Sequence, residues 1–293
     1  MALETFSLFD LAPGKQLAGR FRIQKPQRQS GFSTTSEALD ESATGAEARC
    51  ALVVFPGPLF EGPRQAEDFR AQWRSWQGVD SPHVVRIREV LALPQNTSVL
   101  VTDMPAGGSL REWLKANERM KIEHVLEFGL GLLEGLVAIH ARKLVHGDLK
   151  PQTIFVAAAG KKAPFGVLVD GGVTTGLWNA KHLGEHTALI GTPFYAPVEQ
   201  FGGESPDVQS DIYNLATVLF ECATGVLPWP GATMLEVFQA KLDKHAPSMR
   251  KRAPKIDVAP ELEKAIVQGL LADRRQRYAT AAEFRDALAA VEL

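Results

Sequence analysis

Short apolar runs bounded by turn residues predict β-strands at three places in the chain. The run RCALVVFPG, residues 49–57, is rich in Val and ends at Pro and Gly, as buried strands do. SVLVTDM, residues 98–104, leads into the loop-like segment PAGGSL, and GVLVDGG, residues 166–172, stops at glycines. The polar segment DESATGAEA, residues 40–48, predicts a turn or loop before the first of these strands.

Helical spacing of apolar residues marks the segment after the first strand and most of the second half. In AEDFRAQWRSW, Phe69, Trp73 and Trp76 recur at helical intervals. Residues 123–141 form a long amphipathic pattern, and the chain from Asp211 onward is helical in pattern, with breaks at GVLPWPGA and KHAPSMRKRAPKID. Strands crowded into the first third, followed by helices, predict an α+β protein with a small sheet-rich lobe and a larger helical lobe.

Composition narrows the function classes. The 293 residues are 45% hydrophobic and 23% charged, which is typical of a globular protein with an ample core. The formal net charge of -2 argues against a general nucleic-acid or membrane-surface binder. Cys50 and Cys222 are far apart and favour a reducing, cytoplasmic setting. MALETFSLFD does not resemble a signal peptide, and the apolar stretch 126–141 is too short and too polar to insert into a membrane.

Five segments then occur in the order and spacing of a protein kinase. LVHGDLKPQTIFV resembles the catalytic loop H-R-D-L-x-x-x-N, with Asp148 in the Asp position. VLVDGG resembles the D-F-G segment with Asp170, and GTPFYAPVEQF resembles the A-P-E segment with Glu199. SDIYNLATVLFECATGVLPW, with Asp211, and LLADRRQRYATAAEF, with Arg277, resemble the two later landmarks of that family. Five matches in order are far more specific than any one alone.

The chain therefore resembles the bacterial Ser/Thr protein kinases of eukaryotic type, over residues 21–288 and most strongly in its second half. The resemblance implies one bilobal protein-kinase domain, with a β-rich N-lobe of about 1–104 and an α-helical C-lobe of about 105–293. It places Asp148 and Lys150 at catalytic positions, and Asp170 and Thr153 at the metal positions. It also implies an ion pair between Glu199 and Arg277, and a structural role for Asp211 in bracing the catalytic loop.

The first lobe departs from the family at the positions that handle phosphate. The three Gly slots of the Gly-rich loop hold Arg28, Ser30 and Ser33, whose side chains should keep the loop away from a triphosphate. The strand Lys and the helix Glu of the family are replaced by Val53 and Gln72. Because both partners of that ion pair are missing, no buried charge is left unpaired. The two replacements together therefore indicate that the ion pair has been lost as a unit, and not through an isolated change in a working site. The remaining nucleotide-site positions hold Thr102, Met104 and Phe155.

The second lobe departs at three further positions. Gly147 replaces the Arg that meets an activation-loop phosphate, Thr153 replaces the metal-binding Asn, and Gly171 replaces the D-F-G Phe. One carboxylate and a Thr hydroxyl make a poor Mg²⁺ site. The activation-loop segment 171–198 contains Trp178, which could be an exposed contact residue, and four threonines, at positions 174, 175, 187 and 192.

The positions that handle phosphate are replaced while the positions that support the fold are kept. This contrast predicts a pseudokinase, with remnant catalytic positions, that binds signalling proteins as a regulatory scaffold. No cofactor is expected, although weak ATP and Mg²⁺ binding is an alternative. A first rival is an active atypical kinase that uses Lys25 or Arg28 as its phosphate-binding cation. A second is a nucleotide sensor that binds ATP through Asp170 and Thr153 without phosphotransfer. The basic segment 241–255, read as a loop, could dock an acidic or phosphorylated partner, but a solvated face is the favoured interpretation.

Overall fold

The computed structural model describes residues 6–29, 32–157, 163–181, 193–242 and 247–292. The chain divides into two compact units. The first comprises Met1–Asp80, Val85–Pro105 and Asn179–His182. The second comprises Ser81–Val84, Ala106–Trp178 and Leu183–Leu293. The predicted division into a sheet-rich and a helical part is confirmed, because one unit contains the large antiparallel sheet and the other most of the helices.

The first unit is built on a six-stranded antiparallel sheet with strand order β1-β2-β3-β4-β6-β5. Its strands are β1 Gln16–Leu17, β2 Phe21–Gln29, β3 Thr34–Asp40, β4 Arg49–Phe55, β5 Ile87–Ala92 and β6 Ser98–Asp103. The predicted strands at 49–57 and 98–104 are thus confirmed as β4 and β6. The segment predicted as a loop before β4 contains a short 3-10 helix, Gly45–Ala48.

Side chains alternate across β4, so its two faces contact different parts of the core. Cys50, Leu52 and Val54 point into a cluster that includes residues of β1, β2 and β6. Val53 and Phe55 lie on the opposite face. That face is covered by helix α1, Pro63–Trp76, because the ring of Phe55 lies 4.9 Å from that of Phe69 on α1. The apolar spacing that predicted α1 is the spacing that buries it against this sheet.

The second unit has a small antiparallel sheet and the long helices. The strands are β7 Gly108–Ser109, β8 Ile154–Ala157 and β9 Phe165–Leu168. The helices are α2 Leu110–Asn117, α3 Ile122–Ala141, α4 Val173–Ala180, α5 Val198–Phe201, α6 Val208–Thr224, α7 Met234–Lys241, α8 Met249–Arg252, α9 Pro260–Gln268 and α10 Ala281–Ala289. The predicted helix at 123–141 is confirmed as α3. Among the described residues, no helix has the length and apolarity needed to cross a membrane.

Helix α6 is the centre of this unit, since every residue from Ser210 to Thr224 is buried. Asp207 starts the helix by accepting a hydrogen bond from the backbone N–H of Ser210, and Ser210 reciprocates in a capping box. Gly225 ends it with a φ of 76°, a left-handed conformation that glycine adopts at low cost. The first turn of α6 therefore has a defined position, and it carries Asp211.

Candidate active and nucleotide-site positions

Asp211 holds the backbone of the catalytic-loop segment, which runs from the end of α3 to β8. Its two carboxylate oxygens each accept a backbone N–H at 2.8 Å, one from His146 and one from Gly147. The Nε2 atom of His140 lies 2.9 Å from the same carboxylate. Asp211 is fully buried, so these bonds satisfy a charge that would otherwise be costly. The helical core thereby sets the conformation of this loop.

His146 is a structural histidine. It is fully buried, and its Nε2–H donates to the carbonyl oxygen of Val169 at 3.1 Å. Burial lowers the pKa of His146, although the carboxylates of Asp211, Asp148 and Asp170 oppose that shift. The imidazole is therefore held neutral, and it joins the catalytic loop to the residue before Asp170.

Asp148 and Lys150, the two positions that the family resemblance assigns to catalysis, contact each other. The Nζ atom of Lys150 lies 2.5 Å from Oδ2 of Asp148, and both side chains are about one-fifth exposed. In an active kinase the Asp accepts a proton from the substrate hydroxyl. Here its carboxylate is bound to the neighbouring ammonium, which occupies one of the acceptor sites of Oδ2.

Thr153, in the position of the metal-binding Asn, uses its hydroxyl within the loop. Its Oγ1 accepts the backbone N–H of Lys150 at 3.1 Å and lies 3.0 Å from the carbonyl oxygen of Asp148. The side chain is buried. Thr153 and Asp170 stand at neighbouring strand ends, because the N–H of Val169 donates to the Thr153 carbonyl at 3.0 Å. In the part of the chain that the structure describes, no three His, Cys, Asp or Glu side chains are placed to hold a metal ion.

The chain after Asp170 turns directly into helix α4. Asp170 and Gly172 both have left-handed backbone, with φ of 58° and 75°, and Gly171 between them is buried. Trp178 is only 7% exposed, so the expectation that it is an exposed contact residue is wrong. Thr174 and Thr175 are also buried. The other two threonines of the segment, at 187 and 192, lie outside the described residues.

Gly147 occupies a position where this conformation has no room for a side chain. Its φ is 83°, and a Cβ atom there would lie 2.9 Å from Cγ2 of Thr175 on α4. The N–H of Gly172 donates to the carbonyl of His146 at 2.8 Å, which keeps the start of α4 against the loop. The absence of the family's Arg at this position is therefore part of how the loop and α4 pack.

We expect Gly147→Arg to destabilise the protein by more than the roughly 1–2 kcal/mol that left-handed backbone costs a residue with a side chain. Gly14→Arg is a matched control, because Gly14 also has a φ of 83° but nothing lies within 4 Å of its Cβ position. Urea unfolding of the two variants would measure the difference. Equal destabilisation would mean that the contact with Thr175 imposes no constraint.

In the first unit, Val53, the position that the family resemblance assigns to the phosphate-binding Lys, is part of the sheet core. Val53 lies opposite Thr35 on β3 and Leu100 on β6 and is 5% exposed. Gln72, in the position of the paired Glu, is half-buried on α1. Neither side chain carries a charge that could meet a phosphate.

Two of the three Gly-loop positions lie in or beside the paired strands β2 and β3. Arg28 is in β2, with its backbone opposite Thr35, and Ser33 is half-buried beside the turn. Ser30 lies outside the described residues. Lys25, the other cation near this hairpin, lies 3.5 Å from Glu37 on β3, which also binds Arg49 at 2.6 Å. The hydrogen bond from Arg49 lowers the pKa of Glu37, so the carboxylate that attracts Lys25 stays charged.

The remaining nucleotide-site positions are distributed over both units. Thr102 is buried on β6, and its hydroxyl donates to the carbonyl of Asp103 at 3.0 Å. Met104 follows β6 and is half-buried. Phe155, in the second unit, lies on β8 opposite Ser109 and Val167 and is half-buried.

Glu199 and Arg277 form a buried ion pair. Their closest atoms, Nη1 and Oε1, are 2.8 Å apart, and the side chains are 0% (Arg277) and 5% (Glu199) exposed. Arg277 also donates to the carbonyl oxygens of Leu271 and Gln209, at 3.0 and 3.1 Å. Its guanidinium lies over the ring of Tyr213, 5.1 Å from the centroid. The pair ties the segment after residue 193 to the end of the domain.

Sequence reasoning missed a second buried network, made by Arg111, Tyr195 and Glu221. Arg111 Nη1 lies 2.8 Å from Glu221 Oε1, and the Tyr195 hydroxyl donates to Oε2 of the same carboxylate at 2.5 Å. Arg111 also bonds the Tyr195 hydroxyl. Burial and the Glu221 carboxylate raise the pKa of Tyr195 well above its usual range, so the hydroxyl keeps its proton. The three residues lie far apart in the sequence, which is why no local signal revealed them.

Lys241 corrects the interpretation of segment 241–255 as a basic loop. It ends helix α7, is fully buried, and donates to three carbonyl oxygens. Its Nζ atom lies 3.1 Å from the oxygens of Pro193 and Phe194, and 2.5 Å from that of Ala196. Burial lowers the pKa of Lys241 to about 7, while the carboxylate of Glu199 opposes the shift. Its position four residues after the buried Val237 was the available signal, since that spacing puts both on one helix face.

Comparison with known proteins agrees with this geometry. The chain matches the protein kinase domain family over residues 62–287, and it belongs to that family. It is 27% identical over 282 residues to the serine/threonine-protein kinase PknA of Mycobacterium tuberculosis, which covers 95% of this chain and 62% of PknA. It is 36% identical over 158 residues to the serine/threonine-protein kinase PkaB of Streptomyces coelicolor, covering 53% of this chain and 37% of PkaB.

Solved structures show the same fold. The kinase domain of Mycobacterium tuberculosis PknI superposes with a TM-score of 0.70 at 16% identity, covering 95% of this chain and 98% of that one. Rad53 1-466, solved in complex with AMP-PNP, superposes with a TM-score of 0.74 at 18% identity, covering 92% of this chain and 64% of the Rad53 chain. The predicted protein-kinase fold, with a β-sheet lobe and a helical lobe, is therefore confirmed.

Proposed function

We propose that this domain is a pseudokinase, which regulates signalling by binding partner proteins and does not transfer phosphate. The observation that carries the proposal is Val53, buried in the sheet between Thr35 and Leu100 where an active kinase has its phosphate-binding Lys. A Lys at this place contacts the α- and β-phosphates and pairs with a Glu of the next helix. The chain supplies neither partner, since the Glu position holds Gln72.

The residues present do not fit ATP with Mg²⁺ in the arrangement used by active kinases. Thr153 replaces an Asn amide oxygen with a hydroxyl that already bonds within its own loop. Lys150 is bound to Asp148. The family match begins at residue 62, after the Gly-loop positions and Val53, which supports the interpretation that this part has diverged most. We therefore propose no cofactor, with any nucleotide binding being weak.

An active Ser/Thr kinase is the second candidate, because Asp148, Lys150 and Asp170 are retained and the relatives are named as kinases. Such an enzyme needs a replacement for the missing Lys. Lys25 is a poor replacement, since its ammonium is directed to Glu37 on β3 at 3.5 Å. The third candidate, a nucleotide sensor, would depend on Asp170 with Thr153, whose hydroxyl is engaged elsewhere.

The proposal extends to setting and partners. The two cysteines are buried and free, in keeping with a reducing, cytoplasmic compartment of a bacterial cell. The net charge of -2 favours protein partners over nucleic acid.

We expect no phosphotransfer above that of an Asp148→Asn variant when the protein is incubated with radiolabelled ATP, Mg²⁺ and a generic protein substrate. Positioning and charge stabilisation supply nearly all of the rate in phosphoryl transfer, so the loss of the phosphate anchors should remove it. Incorporation that disappears in Asp148→Asn would establish the active kinase instead. Melting temperatures with ATP, ADP and Mg²⁺ complete the test: a shift without turnover would favour the nucleotide sensor, and no shift the scaffold.

A further inference from the structure

We propose that a cationic groove in the helical unit binds an acidic segment of a partner protein, in which carboxylates flank an apolar side chain. The inference names the partner chemistry for the binding module proposed above and rests on that function. It places partner binding at a site whose chemistry is separate from phosphate transfer. The groove is called here the α2–α8 groove.

The α2–α8 groove has a volume of about 800 Å³ and three walls. The first wall is α2 and the turn after it, including Lys115 and Arg119. The second is the end of α6 with Gly225 and Val226, and the third runs from Arg252 to Ile256. Parts of the chain more than a hundred residues apart thus meet in one concave surface, which is large enough for several residues of an extended peptide.

The lining is strongly cationic although the chain as a whole is slightly acidic. Five cations line the groove, against two carboxylates, giving an excess of three positive charges where the whole chain has a net charge of -2. The lining cations are Arg111, Lys115, Arg119, Arg252 and Lys255. Of the carboxylates, Glu221 is already bound to Arg111 at 2.8 Å, which leaves Glu118 to oppose the other four cations. The local field therefore favours an anionic ligand.

Three of these cations are not committed to the fold. Lys115, Arg119 and Lys255 are exposed, and across the described ranges no carboxylate or other polar group of the chain pairs with them. Arg252 is partly committed, since its Nε donates to the carbonyl of Leu227 at 3.1 Å. Charged groups without an internal partner can bind a carboxylate without first breaking a bond in the protein.

The floor of the groove is apolar. Leu114 and Ile256 are buried beneath it, and Val226 is 37% exposed at its edge. An apolar side chain in the ligand would cover Val226 and gain the usual free energy of burial. A concave surface with an apolar floor and a cationic rim matches a peptide that has both apolar and acidic side chains. A nucleic-acid backbone offers a regular row of charges and no apolar side chain to cover the floor.

The test uses fluorescence anisotropy of a fluorescein-labelled peptide of mixed Glu and Leu, with a control peptide in which Gln replaces each Glu. We expect the acidic peptide to bind the whole chain at least about tenfold more tightly than the Gln peptide. Its affinity should fall as salt is added, because exposed charge pairs are screened. Equal affinity for the two peptides would overturn the proposal.

The site is tested with the variant Lys115→Glu, Arg119→Glu, Lys255→Glu. Its matched control is Lys15→Glu, Lys143→Glu, Lys264→Glu, which makes the same change in net charge at exposed lysines outside the groove. We expect the groove variant to bind the acidic peptide at least about tenfold more weakly, and the control variant to stay within about threefold of the unmodified chain. Unchanged melting temperatures show that both variants fold.

Equal losses of peptide affinity in the two variants would show that only the net charge of the protein matters. That result would overturn the assignment of peptide binding to the α2–α8 groove. A single-stranded poly(dT) probe that binds the groove more tightly than the peptide would reassign it to nucleic acid. Phosphotransfer by the unmodified chain would refute the pseudokinase proposal and leave the peptide discrimination standing. The two failures are therefore distinguishable.

Discussion

Replacing Arg277 by alanine is expected to lower the free energy of unfolding by about 3–5 kcal/mol, because a buried charge is left without its partner. Arg277 is fully buried against Glu199, and its removal also leaves the carbonyl oxygens of Leu271 and Gln209 without the hydrogen bonds that its guanidinium donates. Glu199→Ala should have a similar effect, since it strands the guanidinium. Urea unfolding monitored by tryptophan fluorescence measures both.

Arg275→Ala provides the control for this prediction. Arg275 lies two residues away but its side chain is 89% exposed and it pairs with Asp273 at the surface, where water screens the interaction, so the substitution should change the stability little. Asp148→Ala is the second comparison, because its pair with Lys150 is partly solvated. We expect Asp148→Ala to be less destabilising than Arg277→Ala. The opposite result would show that Asp148 contributes more to stability than the buried ion pair does.

Lys241→Met should be nearly as damaging. The substitution keeps the length of the side chain but removes an amine that, in its protonated form below about pH 7, donates to three carbonyl oxygens of residues 193, 194 and 196. An unsatisfied buried acceptor costs about 1–3 kcal/mol, so we expect a loss of about 3 kcal/mol or more. Lys255→Met, at an exposed lysine, should change the stability by less than about 0.5 kcal/mol.

The stability difference between the unmodified protein and Lys241→Met should depend on pH, because the pKa of Lys241 is lowered to about 7 from an ordinary 10.5. Between these values the unfolded chain holds a proton that the folded chain has released, so the stability of the unmodified protein rises with pH across this window. Below about pH 7 both states are protonated and this contribution is flat. Lys241→Met lacks the group, so its stability deficit should grow from pH 7 to pH 10. A deficit that shrinks over that range would show that folding raises the pKa of Lys241.

The local elements of this fold were predictable because their signals are local. The Val-rich run became β4, and the spacing of Phe69, Trp73 and Trp76 became the buried face of α1. Both patterns depend only on the period with which a strand or a helix presents side chains to a core. The family resemblance then placed Asp211, Glu199 and Arg277, residues that the structure brings into contact with the catalytic-loop backbone or with each other.

The environments of individual side chains were not predictable in this way. Trp178, which the sequence left open as an exposed contact residue, is buried, and Lys241 was expected in a solvated loop and is buried as well. Neither side chain carries a local mark of the segment that will cover it, and for Lys241 the spacing from Val237 indicates only a shared helix face. For Lys241 the covering residues are those of segment 193–196 and the ring of Tyr213, which lie about thirty or more positions away.

By itself the sequence determined the fold class and the order of the predicted elements, and it predicts that the family's phosphate anchors are replaced, because hydrophobic period and residue identity are properties of the chain. Only the tertiary structure decided that Gly147 has no space for a side chain, that Lys150 is bound to Asp148, and that Lys115 and Lys255 line one groove. These facts depend on which distant segments meet in space. Contact distance and burial, which set the energy of each charge, arise only when the chain is folded.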